Sequence, residues 1–488
     1  MAFSIQQLTD DSKFSQALRF EVLEQLCPRE LVSELLTRCH AWGERERSLN
    51  QLLLVYYVIA LSLFRRLNLA AVLAHLVRGL RWLWSNPSLR LPTAAALVYR
   101  RRQLGTPVMR HLFQRLCQPM ASEQTRGAFR FGLRLMAIDG TLDEVADTEA
   151  NARYFGRLSS GKNQSPFPQV RCLYLAEVGT HAIVDAVLAP CRVAEQCLTP
   201  VVLLRSVQAG MLVLMDRGVV SAPVLSTLVH QRQAQALARL KANQFTHAEQ
   251  VLSDGSYLVT LHPVGLPDVQ VRVIEYRLEP HTAERLAEFP ASQTSNHPDP
   301  RQLHRLVTTL LDPQQAPALE LINCYHERWE IEACIDEQKS HLRLSGQPLR
   351  SKDPGLVRQE LYGLLLAHYL VRWWMHQSAC EADLDPDRLS FTHAVEVLDT
   401  ACYEFALVPR QEVPRLQERL LADLREPATL LPPRRLRFYP RVVKRAYSSF
   451  HRKRPGQQGF TLKKQSFRDI LLIYLNLAQI SGIMLISR

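Results

Sequence analysis

Several absences narrow the possibilities before any motif is read. The ten cysteines of this 488-residue chain stand singly, with no CxxC pair. Such spacing offers neither a disulfide framework nor a zinc site, and it suits a reduced cytoplasmic protein. Long apolar runs are missing too. The longest early one, Leu52 to Phe64, has 13 residues, short of the roughly 20 that a membrane span needs. The tail from Ile470 to Ile486 is more apolar, but Asn476, Gln479, Ser481 and Gly482 interrupt it, and it reads as a buried terminal helix. The opening MAFSIQQLTDDSKF has no basic start leading into an apolar stretch, so no signal peptide is expected. Lysine is scarce, nine against 50 arginines.

Acid is absent from two long stretches. Between Arg47 and Ser122 there are eleven arginines and no Asp or Glu. Between Pro427 and Arg468 there are twelve basic residues, among them Arg434, Arg435, Arg437, Lys444 and Arg452, and again no acid. The whole chain carries +12 with a pI near 9.3. The remainder, outside these two stretches, is therefore net negative. Basic arms point to a polyanion such as nucleic acid. An acidic centre between them repels phosphate unless it holds divalent metal ions.

What is present divides along the chain. Residues 10 to about 120 read as helical, with apolar residues three and four apart, as in Leu18, Val22 and Leu26. Thr93 to Met120, punctuated by Gly105 and Pro107, has the outline of a short helix-turn-helix. The texture changes at Leu133. LRLMAI (133–138) predicts a buried strand ending at Asp139. VRCLYLA (170–176) and AIVDAVLA (182–189) predict a hairpin, and EQCLTPVVLLRSV (195–207) a helix. MLVLM (211–215) predicts a second buried strand, ending at Asp216, with a helix from Ala222 to about Gln235. Strand-rich sequence fills 236 to about 312, apart from a polar, proline-punctuated loop at 279–300. Helices resume at Pro317 to about Leu344 and at Gly355 to about Gln377. This alternation predicts an α/β core.

Asp139 and Asp216 each follow a buried apolar run. At the carboxyl ends of strands such acids project toward a ligand crevice, and two of them suit a shared metal. The helix after Pro317 adds Tyr325, Arg328, Glu332 and Lys339, at offsets of 3, 7 and 14. On an ideal helix these four fall within roughly a 60° arc. Ile331, Ile335 and Leu342 form an apolar stripe beside it, while Glu327, Glu330 and Glu337 lie off the arc and read as solvated. A carboxylate, two cations and a phenol on one face suit phosphodiester chemistry.

The spacing Y-x2-R-x3-E-x6-K resembles the signature of the DDE transposases of bacterial insertion sequences, in the insertion-sequence-four group. AIDGT (137–141), with Asp147, Thr148, Asn151, Phe155 and Gly156 after it, resembles that group's first-Asp motif. LVLMDRGVVS (212–221) resembles the second-Asp motif, and RLKAN (239–243), LRSKDPGLVRQELYGLLLAHY (349–369) and PRVVKRAYSSFHRK (440–453) are similar to further family segments. The resemblance implies an RNase H-like catalytic core with a β-rich insertion, a helical N-terminal DNA-binding domain and a helical, basic C-terminal region. The corresponding expected boundaries are 1–125, 126–235, 236–315, 316–380 and 381–488.

It also implies a catalytic, metal-binding triad of Asp139, Asp216 and Glu332, and DNA-phosphate contacts from Tyr325, Arg328 and Lys339. Two Mg²⁺ or Mn²⁺ ions would serve cleavage at the element's ends and direct strand transfer by the freed 3′-OH. The expected partners are double-stranded DNA, as terminal inverted repeats and target, and a second copy of the chain. No membrane and no nucleotide cofactor are expected, and the location would be cytoplasmic, at the nucleoid. One departure concerns hairpin formation. Some relatives stack a flipped base on a tryptophan of the insertion, and this chain has none between Trp84 and Trp329. Two other functions share most of these features: a catalytically silent DNA-binding derivative and a nuclease of the same fold. GRLSSGKN (156–163) is one residue from a phosphate-binding loop, but Asn163 replaces the required Ser or Thr, and Pro166 and Pro168 oppose a following helix.

Overall fold

The computed structural model describes residues 3–5, 20–43, 50–64, 66–78, 91–160, 163–241, 244, 247–278, 303–343 and 346–433, with short stretches after 434. Its principal helices are α1 (Arg29–Arg38), α2 (Gln51–Leu63), α3 (Leu69–Leu76), α4 (Ala94–Leu104), α5 (Pro107–Leu116), α6 (Glu149–Phe155), α7 (Glu195–Ser206), α8 (Ala222–Ser226), α9 (Ala318–His326), α10 (Trp329–Asp336), α11 (Pro354–Glu381), α12 (Phe391–Leu407) and α13 (Val413–Leu424). The principal strands are β1 (Leu133–Glu144), β2 (Gln169–Glu177), β3 (Ala182–Pro190), β4 (Met211–Met215), β5 (Gln235–Arg239), β6 (Tyr257–Leu261), β7 (Val269–Leu278) and β8 (His304–Thr308).

The chain divides into two compact units. The first comprises Met1–Phe129, Arg134–Ser206 and Glu330–Pro433. Its sheet is antiparallel, with Asp139 opposite Tyr174 on β2 and Tyr174 opposite Ala186 on β3. The N-terminal helices start where short polar side chains cap them. Asn50 accepts from the Leu53 amide at 2.9 Å and Asn68 from the Ala71 amide at 2.9 Å. Every residue of α2 is buried, as expected of a helix apolar on all sides. Its neighbour α11 passes so close that a methyl group on Gly363 would lie 2.8 Å from the Val58 carbonyl oxygen. Helices α4 and α5 form the expected helix-turn-helix outline, with Gly105 at φ +69° between them. Inside this unit Arg101 is buried, donating to Gln359 and Ser351.

The second unit comprises Arg130–Leu133, Val207–Trp329 and Arg434–Arg488. Strands β4 and β5 run parallel, while β8, β7 and β6 continue the sheet antiparallel. The β-rich segment between β5 and α9 is thus present as expected. In chain order the molecule gives three antiparallel strands, then helix, strand, helix and strand. That succession places it in the RNase H-like α/β class, with a helical N-terminal region.

Three expectations are corrected. Strand β1 does not end at Asp139 but runs on to Glu144, because residues 139–144 pair in register with β2 down to Gln169. The helix from Ala222 is short: α8 ends at Ser226, widens into a π turn over Thr227–Gln231, and Gln235 already opens β5. The tail is not helical at its start, since Leu471–Ile473 is a strand paired with the end of β7. The remainder of the expected terminal helix, the 279–300 loop and the helical reading of residues 10–19 lie outside the described residues. The GRLSSGKN stretch contains a two-residue β hairpin, Ser159–Ser160 with Asn163–Gln164, and no helix follows it. Among the described residues no helix is long and apolar enough to cross a membrane.

The tight approach of α11 to α2 gives a stability prediction. Gly363→Ala should destabilise the protein by about 1–3 kcal/mol, because a buried backbone oxygen must move. Urea denaturation of the two proteins checks it.

Candidate catalytic site

In the first unit, Asp139 is half-buried in the middle of β1, and its Oδ1 accepts the Gly140 amide at 2.8 Å. A Cβ at position 140 would meet the end of the Glu195 side chain at 2.2 Å, so a larger residue there would have to displace that side chain. Glu195 is itself held by Arg171 at 2.6 Å. Side chains alternate along a strand, so Thr141 and Asp143 share the face of Asp139. Asp143 is buried and ion-paired with Arg343. Lys339 donates to the Leu142 carbonyl at 2.8 Å and lies 4.0 Å from Asp143 Oδ1. The predicted lysine is therefore fastened to the strand that carries the first predicted aspartate. Glu332 sits half-buried on α10.

In the second unit, Asp216 directly follows β4 and is half-buried. Tyr325 donates to the carbonyl of Met215, the residue just before it, at 3.3 Å. Burial pushes the Tyr325 phenol far above its ordinary pKa, although Arg328 opposes that rise. The buried Arg328 guanidinium lies 5.3 Å from the Trp329 ring centroid and 6.0 Å from that of Tyr325, within reach of cation–π attraction. Tyr325 and Arg328 thus gather at the end of the strand leading to Asp216.

The four signature residues do not share one uninterrupted helix, contrary to the 60° arc expected for them. Helix α9 stops at His326 and α10 starts at Trp329. Between them the amides of Glu327 and Arg328 bond three residues back, to Cys324 and Tyr325, which tightens the turn. Beyond Asp336 the helix widens into a π turn over Glu337–His341. The three off-arc glutamates are not solvated either. Glu327 is buried against Arg435 at 2.7 Å. Glu330 pairs with His181 at 2.8 Å. Glu337 is buried and accepts from Arg372 Nε at 2.9 Å and His368 Nε2 at 2.8 Å, with His181 Nδ1 3.1 Å away. Asp387 lies 3.3 Å from His181 Nε2.

Burial would raise the Glu337 pKa, but Arg372 and His181 hold it well below the usual carboxylate range. Burial and Arg372 oppose a charge on His181, yet Cys334, Glu337 and Asp387 keep its pKa well above the ordinary histidine value. A signal for this network exists in the sequence: His368 and Arg372 stand four apart inside an otherwise apolar helical stretch. Buried polar groups of that kind require partners.

Three carboxylates with hard oxygen donors fit Mg²⁺ or Mn²⁺. Asp139 and Glu332 belong to the first unit and Asp216 to the second.

Known proteins resemble the chain over most of its length. Residues 17–114 match the family described as insertion element 4 transposase N-terminal, and residues 130–370 match the transposase DDE domain. The transposase InsG of insertion sequence element IS4 from Escherichia coli strain K12 is 28% identical over 418 residues, covering 85% of this chain and 90% of that protein. A cryo-EM structure of the piggyBac transposase synaptic complex with hairpin DNA aligns over 83% of this chain and 85% of its own, at 11% identity and a TM-score of 0.44. The fold and the matched domains define a DDE-type DNA transposase. The chain belongs to the insertion sequence 4 family of these enzymes.

The buried phenol yields a direct test. In folded protein, wild-type and Tyr325→Phe should show the same growth of tyrosinate absorbance up to about pH 11. An extra tyrosinate in the wild type below that pH would contradict the burial of Tyr325.

Proposed function

We propose that Asp139, Asp216 and Glu332 together form the catalytic centre that cuts DNA at the ends of an insertion sequence and joins the freed 3′ end to a target. Two divalent ions, Mg²⁺ or Mn²⁺, would be held by these three carboxylates and would supply charge neutralisation and polarisation at the attacked phosphodiester. The observation that carries the reading is local to each unit. Lys339 is bonded to the strand of Asp139, and Tyr325 to the residue before Asp216. Each half of the signature is thus tied to one of the two aspartate-bearing strands.

The chain's own groups have distinct tasks in this reading. The carboxylates gather cations in an otherwise basic protein. Lys339, with three donor hydrogens and one used on Leu142, keeps donors for a phosphate oxygen. Arg328 brings a planar cation suited to the same task. Tyr325 keeps its proton at working pH and serves as a donor. The attacking oxygen then comes from water and later from the DNA 3′-OH, and no protein–DNA bond forms.

The basic stretches supply the duplex contacts. Residues 47–122 would read the terminal inverted repeats, and residues 427–468 would grip flanking or partner DNA in a homodimer working on two ends. Action on chromosomal DNA implies a cytoplasmic, nucleoid-bound enzyme.

Two outcomes test this. Replacing Asp139, Asp216 or Glu332 by alanine should leave binding to end DNA intact and abolish metal-dependent cleavage, and continued cutting by Glu332→Ala would refute the triad. A chain ending at residue 426 should bind end DNA more weakly and with a flatter dependence on salt, because it releases fewer counterions. Affinity measured across a salt series decides that point.

A further inference from the structure

The segment that carries Glu332 and Lys339 is clamped on two flanks within the first unit. On one flank Lys339 bonds the Leu142 carbonyl of β1 and Arg343 pairs with Asp143. On the other, the Glu337 carboxylate receives Arg372 and His368 from α11 and faces His181 from the β2–β3 turn. His181 adopts φ +59°, a left-handed conformation that a non-glycine residue holds only where its surroundings enforce it.

Glu337 also opens the π turn, and the Leu342 amide bonds back to its carbonyl at 2.8 Å. A π turn holds one residue more than an α turn, so its starting point sets the rotation of everything after it. Lys339 lies two residues into that turn and Glu332 five residues before it. Apolar side chains replacing both Glu337 and Arg372 would fill the same space with no less stability. A carboxylate matched to three polar partners instead permits one rotation and one register of the helix.

We propose that Glu337, fixed by Arg372, His368 and His181, is a positioning residue that sets where Glu332 and Lys339 stand relative to the Asp139 strand. The proposal rests on the catalytic reading of Asp139 and Glu332 given above. Glu337 touches no reacting atom. It acts by holding the register in which Glu332 meets a divalent ion, so its loss shows in the metal dependence of the reaction.

The test uses full-length protein, a duplex carrying the element's own terminal repeat, and Mn²⁺. Glu337→Gln, the double variant Glu337→Gln with Arg372→Gln, and Glu332→Ala are compared with wild type. The double variant removes the Glu337–Arg372 charge pair together and leaves His181 beside Glu330 and Asp387. Both Glu337 variants should bind the duplex and keep their helical circular dichroism. Their cleavage should fall about 10- to 100-fold, and half-saturation should need about tenfold more Mn²⁺. Folded variants that cut at the wild-type rate with unchanged Mn²⁺ dependence, while Glu332→Ala is dead, overturn the positioning role and leave the catalytic reading standing. If Glu332→Ala still cuts, the catalytic reading itself fails. If neither Glu337 variant folds or binds DNA, Glu337 is a folding determinant and the proposal is overturned.

Discussion

A charge cannot be buried alone, and that constraint organises the region around residues 318–343. The segment is largely buried yet rich in ionisable side chains. Five of them draw a partner from a distant part of their own unit: Arg435 for Glu327, His181 for Glu330, Arg372 for Glu337, Asp143 for Arg343 and a strand carbonyl for Lys339. An isolated ion in a dry interior is far too costly, whereas a paired one with its hydrogen bonds satisfied is roughly neutral for stability. These pairs therefore specify arrangement more than they add stability. The path of the polypeptide through this segment is written in its charge pairs.

The same constraint explains which parts were legible in sequence. Apolar runs such as MLVLM and AIVDAVLA became strands where expected, because burial of an apolar run depends only on its own composition and length. The triad candidates and the Y-R-E-K spacing were also readable as motifs. The failures came where a side chain's environment was set by a remote partner. Periodicity alone assigned Glu337 to solvent, since a 100° rule sees no Arg372 thirty-five residues away. It drew one continuous helix because it has no means to register the tight turn at Glu327 or the π turn at Glu337. Asp139 was placed at a strand end because the apolar run stops at Ile138, yet pairing with β2 carries the strand five residues further.

Charge totals needed a comparable correction. The acid-free stretch from Arg47 to Ser122 reads as a uniform basic surface, but Arg100 and Arg101 are buried within it. Arg101 holds the start of α11 through Gln359, Ser351 and the Leu356 carbonyl. Arginine suits that structural task because its five donors can satisfy several acceptors at once. A run of arginines is thus a mixed population, in which those that hold helices together are not available to a polyanion. Such residues add nothing to the salt dependence of DNA binding.

The state of Tyr325 bears on the proposed chemistry as well. Recombination can proceed through a tyrosine that attacks phosphorus and remains attached to the DNA, and that route needs an accessible phenol able to lose its proton. Here the phenol is buried, donates to the Met215 carbonyl, and has its pKa pushed up by burial despite the nearby guanidinium. Deprotonation would break its hydrogen bond and leave an anion beside Asp216 in a poorly solvated place. A group held this way orients its neighbours and donates a hydrogen bond. It does not become the nucleophile. A phenol so held is consistent with the proposed reading, in which the attacking oxygen is first that of water and then that of the DNA end itself.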